Sequence, residues 1–127
     1  MGKYDKVYGM MFKKVYPFLV AKAEKKGRTL EDVLSVTSWL TGYAVADIVK
    51  TLDSDITYGD FFLQAPQMNP SRHLIKGSIC GVKLAEIEEP LMQDIRYLDK
   101  LVDELAKGKP LEKKSFLIKL HFIDVLG

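Results

Sequence analysis

Pro90 to Gly108, PLMQDIRYLDKLVDELAKG, is the stretch whose reading decides the fold class. Leu91, Ile95, Leu98, Val102 and Leu105 recur at steps of four, three, four and three, laying one apolar stripe along a helix. Pro90 suits the first helical position, where its missing N–H would be unpaired in any residue. Glu88 and Glu89 stand at the positive end of the helix dipole and Lys107 at the negative end. Gly108 can close the helix in the left-handed conformation, and Pro110 discourages a restart. Asp103 with Lys107, and Arg96 with Asp99, fall at pairing distance along the helix. The spacing approaches a coiled-coil seam, but five positions are too few for an independent coiled coil. Met92 and Leu101 widen the stripe, which suits burial within a domain.

Upstream, Val7, Met11, Val15, Phe18 and Leu19 form a helical pattern that Pro17 interrupts. Either one helix kinks near Tyr16, or a short helix ends there and a second begins at Pro17 and runs to Gly27, which is the preferred reading. Thr29 and Asp32 resemble a capping box, opening a helix that turns Leu30, Val33, Val36, Thr37 and Leu40 inward and stops at Gly42. Residues 43–52 read as a further short helix with Val45, Ile48, Val49 and Leu52 buried. Thr57 caps a short helix through Phe61 and Phe62 that Pro66 ends. Asn69-Pro70 is a helix-start pair, so SRHLIKGSIC is read as helical up to Gly81. The competing reading is a small β-hairpin within residues 73–82, turning at Gly77-Ser78.

The expected architecture is therefore mainly α: a single multi-helix domain over residues 1–114. Residues 115–127, SFLIKLHFIDVLG, form an apolar C-terminal extension too sticky to be a free tail and without a clean period. It is expected to pack on the domain or to dock against another chain, and self-association through it or through the helix at Pro90 is left open.

At 127 residues the chain can bury a core without staples. Its 47% hydrophobic and 28% charged residues are ordinary for a soluble globular protein. A net charge of +2 gives little drive towards nucleic acid or membrane, and no apolar run approaches the ~18 residues of a membrane span. The single Cys80 rules out an internal disulfide, so a cytoplasmic location is expected. Lysines concentrate in the first quarter, and acids in the stretch from Glu31 to Asp60. Packing of a basic helix against an acidic helical pair explains this more simply than a nucleic-acid surface of Lys13, Lys14, Lys22, Lys25 and Lys26.

VYPFLVAKAEKKGRT, WLTGY, DFFLQAPQMNP and ICGVKLAEIEEPLMQDIRYLDKLVDELAKGK, with the spacing between them, resemble the bacterial domain-of-unknown-function 2200 family from about Met11 to Glu112. The resemblance implies one small, mainly helical, intracellular domain and carries over no catalytic residue. The chain departs from the family pattern after Lys114, where SFLIKLHFIDVLG continues.

Chemistry-bearing groups are sparse. Cys80 and His73 lie seven apart, on one face of a helix but out of hydrogen-bond reach, and read as a buried small hydrophobe and a surface histidine. No CxxC, HExxH or phosphate-loop pattern is present, so no metal, cofactor or catalytic residue is assigned. Glu86, Glu88 and Glu89 are explained by the helix start that follows them. Arg72 near the Asn69-Pro70 start is a candidate anion contact. Aromatic and amide groups line small-ligand pockets, which makes Trp39, Tyr43, Gln64, Asn69 and Arg72 the candidate ligand-binding residues, although a helical core and its caps explain the aromatic and amide set more simply. The leading expectation is a non-catalytic cytoplasmic binding or protein-interaction module, as a homo-oligomer or with a separate partner. A small-molecule binder or small enzyme using that pocket is the alternative, with nucleic-acid binding behind both.

Overall fold

The computed structural model describes residues 2–107. Its elements are α1 (Asp5–Tyr8), α2 (Phe12–Glu24), α3 (Leu30–Thr41), α4 (Val45–Thr51), α5 (Tyr58–Leu63) and α6 (Pro90–Ala106), with β1 (Ser78–Ile79) and β2 (Val82–Lys83) between α5 and α6. The apolar extension at 115–127, and the stop signals Gly108 and Pro110, lie outside the described residues.

Helix α6 begins with Pro90 at its first turn, and its stripe is the centre of the core: Ile95, Leu98, Val102 and Leu105 are almost free of solvent. Met92, Tyr97, Leu101 and Ala106 are buried beside them, so the covered face is far wider than a seam. It packs against α2, α3 and α5 of the same chain. Both expected ion pairs form, Arg96–Asp99 at 2.8 Å and Lys107–Asp103 at 3.0 Å. Lys22 on α2 also reaches Asp103, at 3.1 Å, tying the two helices together.

Pro17 does not break the chain: α2 is continuous, with Pro17 inside it. The helix is started from a distance instead. Phe12 N–H donates to the Ile56 carbonyl at 3.0 Å, Tyr58 N–H donates to the Met10 carbonyl at 2.6 Å, and Met11 pairs with Thr57. Pro17 faces solvent, so water can serve the Lys13 carbonyl that a proline four residues on leaves without its helical donor. The pinned strap brings Phe12 onto Phe61, stacked at 4.0 Å, with Tyr43 on the other side of Phe61 at 4.5 Å. Phe62 meets Phe61 edge-on.

The Thr29–Asp32 capping box is formed. Val33, Val36, Thr37 and Leu40 turn inward as expected, but Leu30, Val45 and Val49 are exposed. Helix α4 is too short to bury a stripe, and only Ile48 is covered.

The 70–82 stretch is not a helix. Asn69 does cap a start, its side chain accepting from Ser71 N–H, but only a 3-10 turn over Pro70–Leu74 follows. The hairpin is real, with a different turn: Ser78 pairs with Lys83 and Ile79 with Val82, leaving Cys80-Gly81 as the loop. Both loop residues have positive φ, 52° and 79°, the combination of a type I′ turn whose twist matches its strands. Cys80 is therefore an exposed free thiol at the tip, not a buried hydrophobe. Gly77, expected in the loop, instead stands at the hairpin's entry and accepts from Leu84 N–H at 3.0 Å.

Candidate functional site

A helix leaves its last four carbonyls without intrahelical donors. At the end of α3 each finds one. Gly42 N–H donates to Ser38 O at 2.9 Å, Asn69 Nδ2 to Trp39 O at 3.3 Å, Asn69 N–H to Leu40 O at 2.9 Å and Gln67 N–H to Thr41 O at 3.1 Å. Three of the four thus come from the segment after α5, which is laid across the end of α3. The approach requires Gly42: its φ is +79°, and a Cβ there would stand 2.7 Å from the Gln67 carbonyl oxygen and 2.9 Å from the Gln67 nitrogen.

This crossing opens a cleft of about 540 Å³ lined by Ser35, Ser38, Trp39, Gly42, Val45, Pro66, Gln67, Asn69 and Pro70. Trp39 is half-buried and Val45 is 42% exposed, so apolar surface is presented to solvent. The polar groups are mostly committed. Ser38 Oγ donates to Tyr43 O at 2.7 Å, and Asn69 spends its amide on Trp39 O and Ser71 N–H. Ser35 and Gln67 side chains make no hydrogen bond among the described residues. Among the described residues no ionisable side chain lines the cleft.

Of the five sequence-derived candidates, Trp39 and Asn69 meet here. Tyr43 points into the core, stacked on Phe61 and donating its hydroxyl to Phe61 O at 2.6 Å; burial raises its phenol pKa. Gln64 is exposed at the end of α5, and the cleft takes Gln67 instead. Arg72 turns towards α6, pairing with Asp94 at 2.9 Å and donating to Asn69 O at 2.9 Å. The missed Ser35, Ser38 and Gly42 had a signal: together with Trp39 they are spaced to share one helix face.

A second cleft, of about 630 Å³, lies beside the hairpin and is lined by His73, Ile75, Lys76, Gly77, Lys83, Ala85, Gln93 and Tyr97. His73 Nδ1 is 3.3 Å from the Tyr97 hydroxyl. Burial raises the Tyr97 phenol pKa, and the Asp94 carboxylate adds to that effect.

The basic helix and the acidic stretch do meet, through Lys13 and Asp55 at 2.7 Å. With Lys22 held by Asp103, two of the five lysines weighed as a nucleic-acid surface are already paired. Among the described residues no group of three or more His, Cys, Asp or Glu could hold a metal ion. No helix among them is long and apolar enough to cross a membrane.

A model of the bacterial family DUF2200, described as an uncharacterized protein conserved in bacteria, matches residues 6–115. Among solved structures, the chain is similar to one titled "Crystal structure of uncharacterized protein SP1917", at 55% identity and a TM-score of 0.82. The match covers 91% of this chain and 98% of that one. No curated protein matches.

Proposed function

The chain belongs to the bacterial DUF2200 family, and from that premise we propose that it is a non-catalytic cytoplasmic interaction module whose Trp39 cleft seats a short apolar segment of a partner protein. One observation carries the reading: the cleft has the size of a ligand site and an aromatic and aliphatic lining, yet the described residues bring no ionisable group to it. Without an acid, a base or an activated nucleophile, such a surface binds rather than reacts. An inserted apolar side chain would cover Trp39, Val45, Pro66 and Pro70, while Ser35 and Gln67 supply hydrogen bonds to its backbone. The exposed thiol of Cys80 fits a reducing compartment.

Trp39 is the chain's single tryptophan, so its emission reports on this cleft alone. Peptides selected on the purified protein should shift that emission, and Val45→Asp should weaken them at least ~tenfold, about 1.4 kcal/mol, without unfolding the protein. Selected peptides that leave the emission unchanged and bind Val45→Asp equally well would refute the reading. Sedimentation identifies the partner type: a dimer that Val45→Asp dissociates assigns a second copy of this chain, and a monomer assigns a different protein.

A further inference from the structure

We infer that the cleft beside the hairpin is a second binding site, independent of the Trp39 cleft, that takes a small phosphomonoester. Two features of its lining point to an anion. Lys76 and Lys83 both line it, and neither ammonium group makes an ion pair or hydrogen bond among the described residues. The ion pairs recorded elsewhere show what an available carboxylate does with a nearby cation: Lys13, Lys22, Arg72, Arg96, Lys100 and Lys107 each hold one. The Asp94 carboxylate, which acts on Tyr97, is held by Arg72, and no carboxylate is among the described residues that line the cleft. Two like charges gathered at one opening repel each other, and an anion relieves that repulsion.

The remaining walls indicate what the anion is attached to. Ile75 and Ala85 are apolar, and Tyr97 is a buried aromatic whose hydroxyl meets His73 Nδ1. Gln93 is held in place by donating its amide to Leu84 O at 3.0 Å. A cleft of about 630 Å³ exceeds the needs of a bare ion and falls within the usual range for small-molecule sites. The ligand that fits has a compact organic body against Ile75, Ala85 and the Tyr97 ring. Its doubly charged end lies between Lys76 and Lys83. A phosphomonoester, near −2 at neutral pH, balances two ammonium groups, whereas a single carboxylate balances one. Lysine acts here as a point charge, without the paired geometry that arginine imposes.

The site is tested by calorimetry with phenyl phosphate as the probe, and with benzoate and inorganic phosphate as comparators. Phenyl phosphate should bind once per chain and bind more tightly than either comparator. Added sodium chloride should weaken it, since exposed charges are screened. Lys76→Gln and Lys83→Gln should each weaken binding about tenfold while the thermal midpoint of the free protein stays near that of the parent. Lys50→Gln, on α4, should change nothing, and Trp39 emission should not respond to the probe. Benzoate binding equally well would overturn the dianion assignment, and inorganic phosphate binding equally well would overturn the organic body. Loss of affinity in Lys50→Gln, matching that in Lys76→Gln, would reduce the effect to diffuse surface charge. A shift in Trp39 emission would move the ligand to the other cleft, and unchanged affinity in both cleft variants would sink the proposal.

Discussion

Substituting Gly42 tests the crossing that builds the Trp39 cleft. Gly42→Ala meets two separate penalties. The left-handed backbone, φ +79°, costs an L-residue about 1–2 kcal/mol. The added Cβ then stands 2.7 Å from the Gln67 oxygen and 2.9 Å from its nitrogen, and these are backbone atoms with no rotamer to give. Residues 66–69 must retreat, stretching the bonds from Gln67 N–H to Thr41 O and from Asn69 N–H to Leu40 O. Each such bond contributes roughly 1 kcal/mol net, so the whole change should cost about 3 kcal/mol. Gly27→Ala is the matched control, because its φ is +81° and nothing lies within 4 Å of the added Cβ. Both substitutions stiffen the unfolded chain alike, so that contribution cancels in the comparison. Urea unfolding followed by circular dichroism should show Gly42→Ala costing about 2 kcal/mol more than Gly27→Ala, with a thermal midpoint roughly 6–10 °C lower. Equal costs at the two sites would refute the argument that close backbone approach, and not the turn alone, requires glycine at 42.

Three further outcomes follow from buried or paired groups. Thr37 Oγ1 donates to Val33 O at 2.8 Å, so the hydrogen in its 2.7 Å contact with Tyr16 must come from the phenol. Thr37→Val strands that buried hydroxyl and should cost about 1–3 kcal/mol, and Tyr16→Phe should recover part of it in the double variant; strictly additive costs would count against the bond. Tyr8 and Tyr16 have pKa values raised from 10.0 to about 12, first by burial, with the Glu89 carboxylate adding at Tyr8 and Thr37 opposing at Tyr16. The unfolded chain therefore loses these protons first: their contribution is complete below pH 10 and is lost as pH rises towards 12, so phenolate absorbance should appear together with unfolding. Phenolates forming near the ordinary pKa in an intact fold would contradict this. At Asp103 burial pushes the pKa up, but hydrogen bonds from Lys107 and Lys22 outweigh it and hold the carboxyl below 3.8. Stability from these pairs is present above that value and lost as pH falls through the folded pKa. Asp103→Asn should cost about 0.5–1 kcal/mol at neutral pH, discounted for the exposed lysines, and nothing once the carboxyl is protonated. A cost that persists in acid would assign it to packing.

What the sequence discloses depends on how far apart the interacting groups lie. The α6 stripe, the Thr29 capping box and the Thr57 and Asn69 caps each join residues within one or two turns, and all are present. Pro17 misleads because the start of α2 is set by Ile56 and Thr57, more than forty residues away. The hairpin turn misleads for a smaller reason. Gly77 supplies one positive φ for a type II′ loop, whereas the fold uses two, and places the non-glycine Cys80 at one of them. Ile75, Ile79 and Leu84 are all buried around this turn. Their burial supports the strand pairing that holds Cys80 there.

The same distinction explains the candidate site. Tyr43 and Trp39 both look like pocket residues by composition, since each is an aromatic near the end of α3. What separates them is that Phe61 comes from another helix to cover Tyr43 and accept its hydroxyl, whereas Trp39 stays half-buried and lines the cleft. Arg72 is diverted in the same way by Asp94. Each candidate that left the cleft did so for a partner distant in sequence, except Gln64, which stays in solvent. The residues that remain are held by main-chain bonds to the end of α3 and by the absence of a side chain at Gly42. Such a cleft rests on main-chain geometry that side-chain composition does not describe. For that reason substitutions at Gly42 and Asn69 should disturb it more than substitutions at Ser35 or Gln67, whose side chains make no hydrogen bond among the described residues.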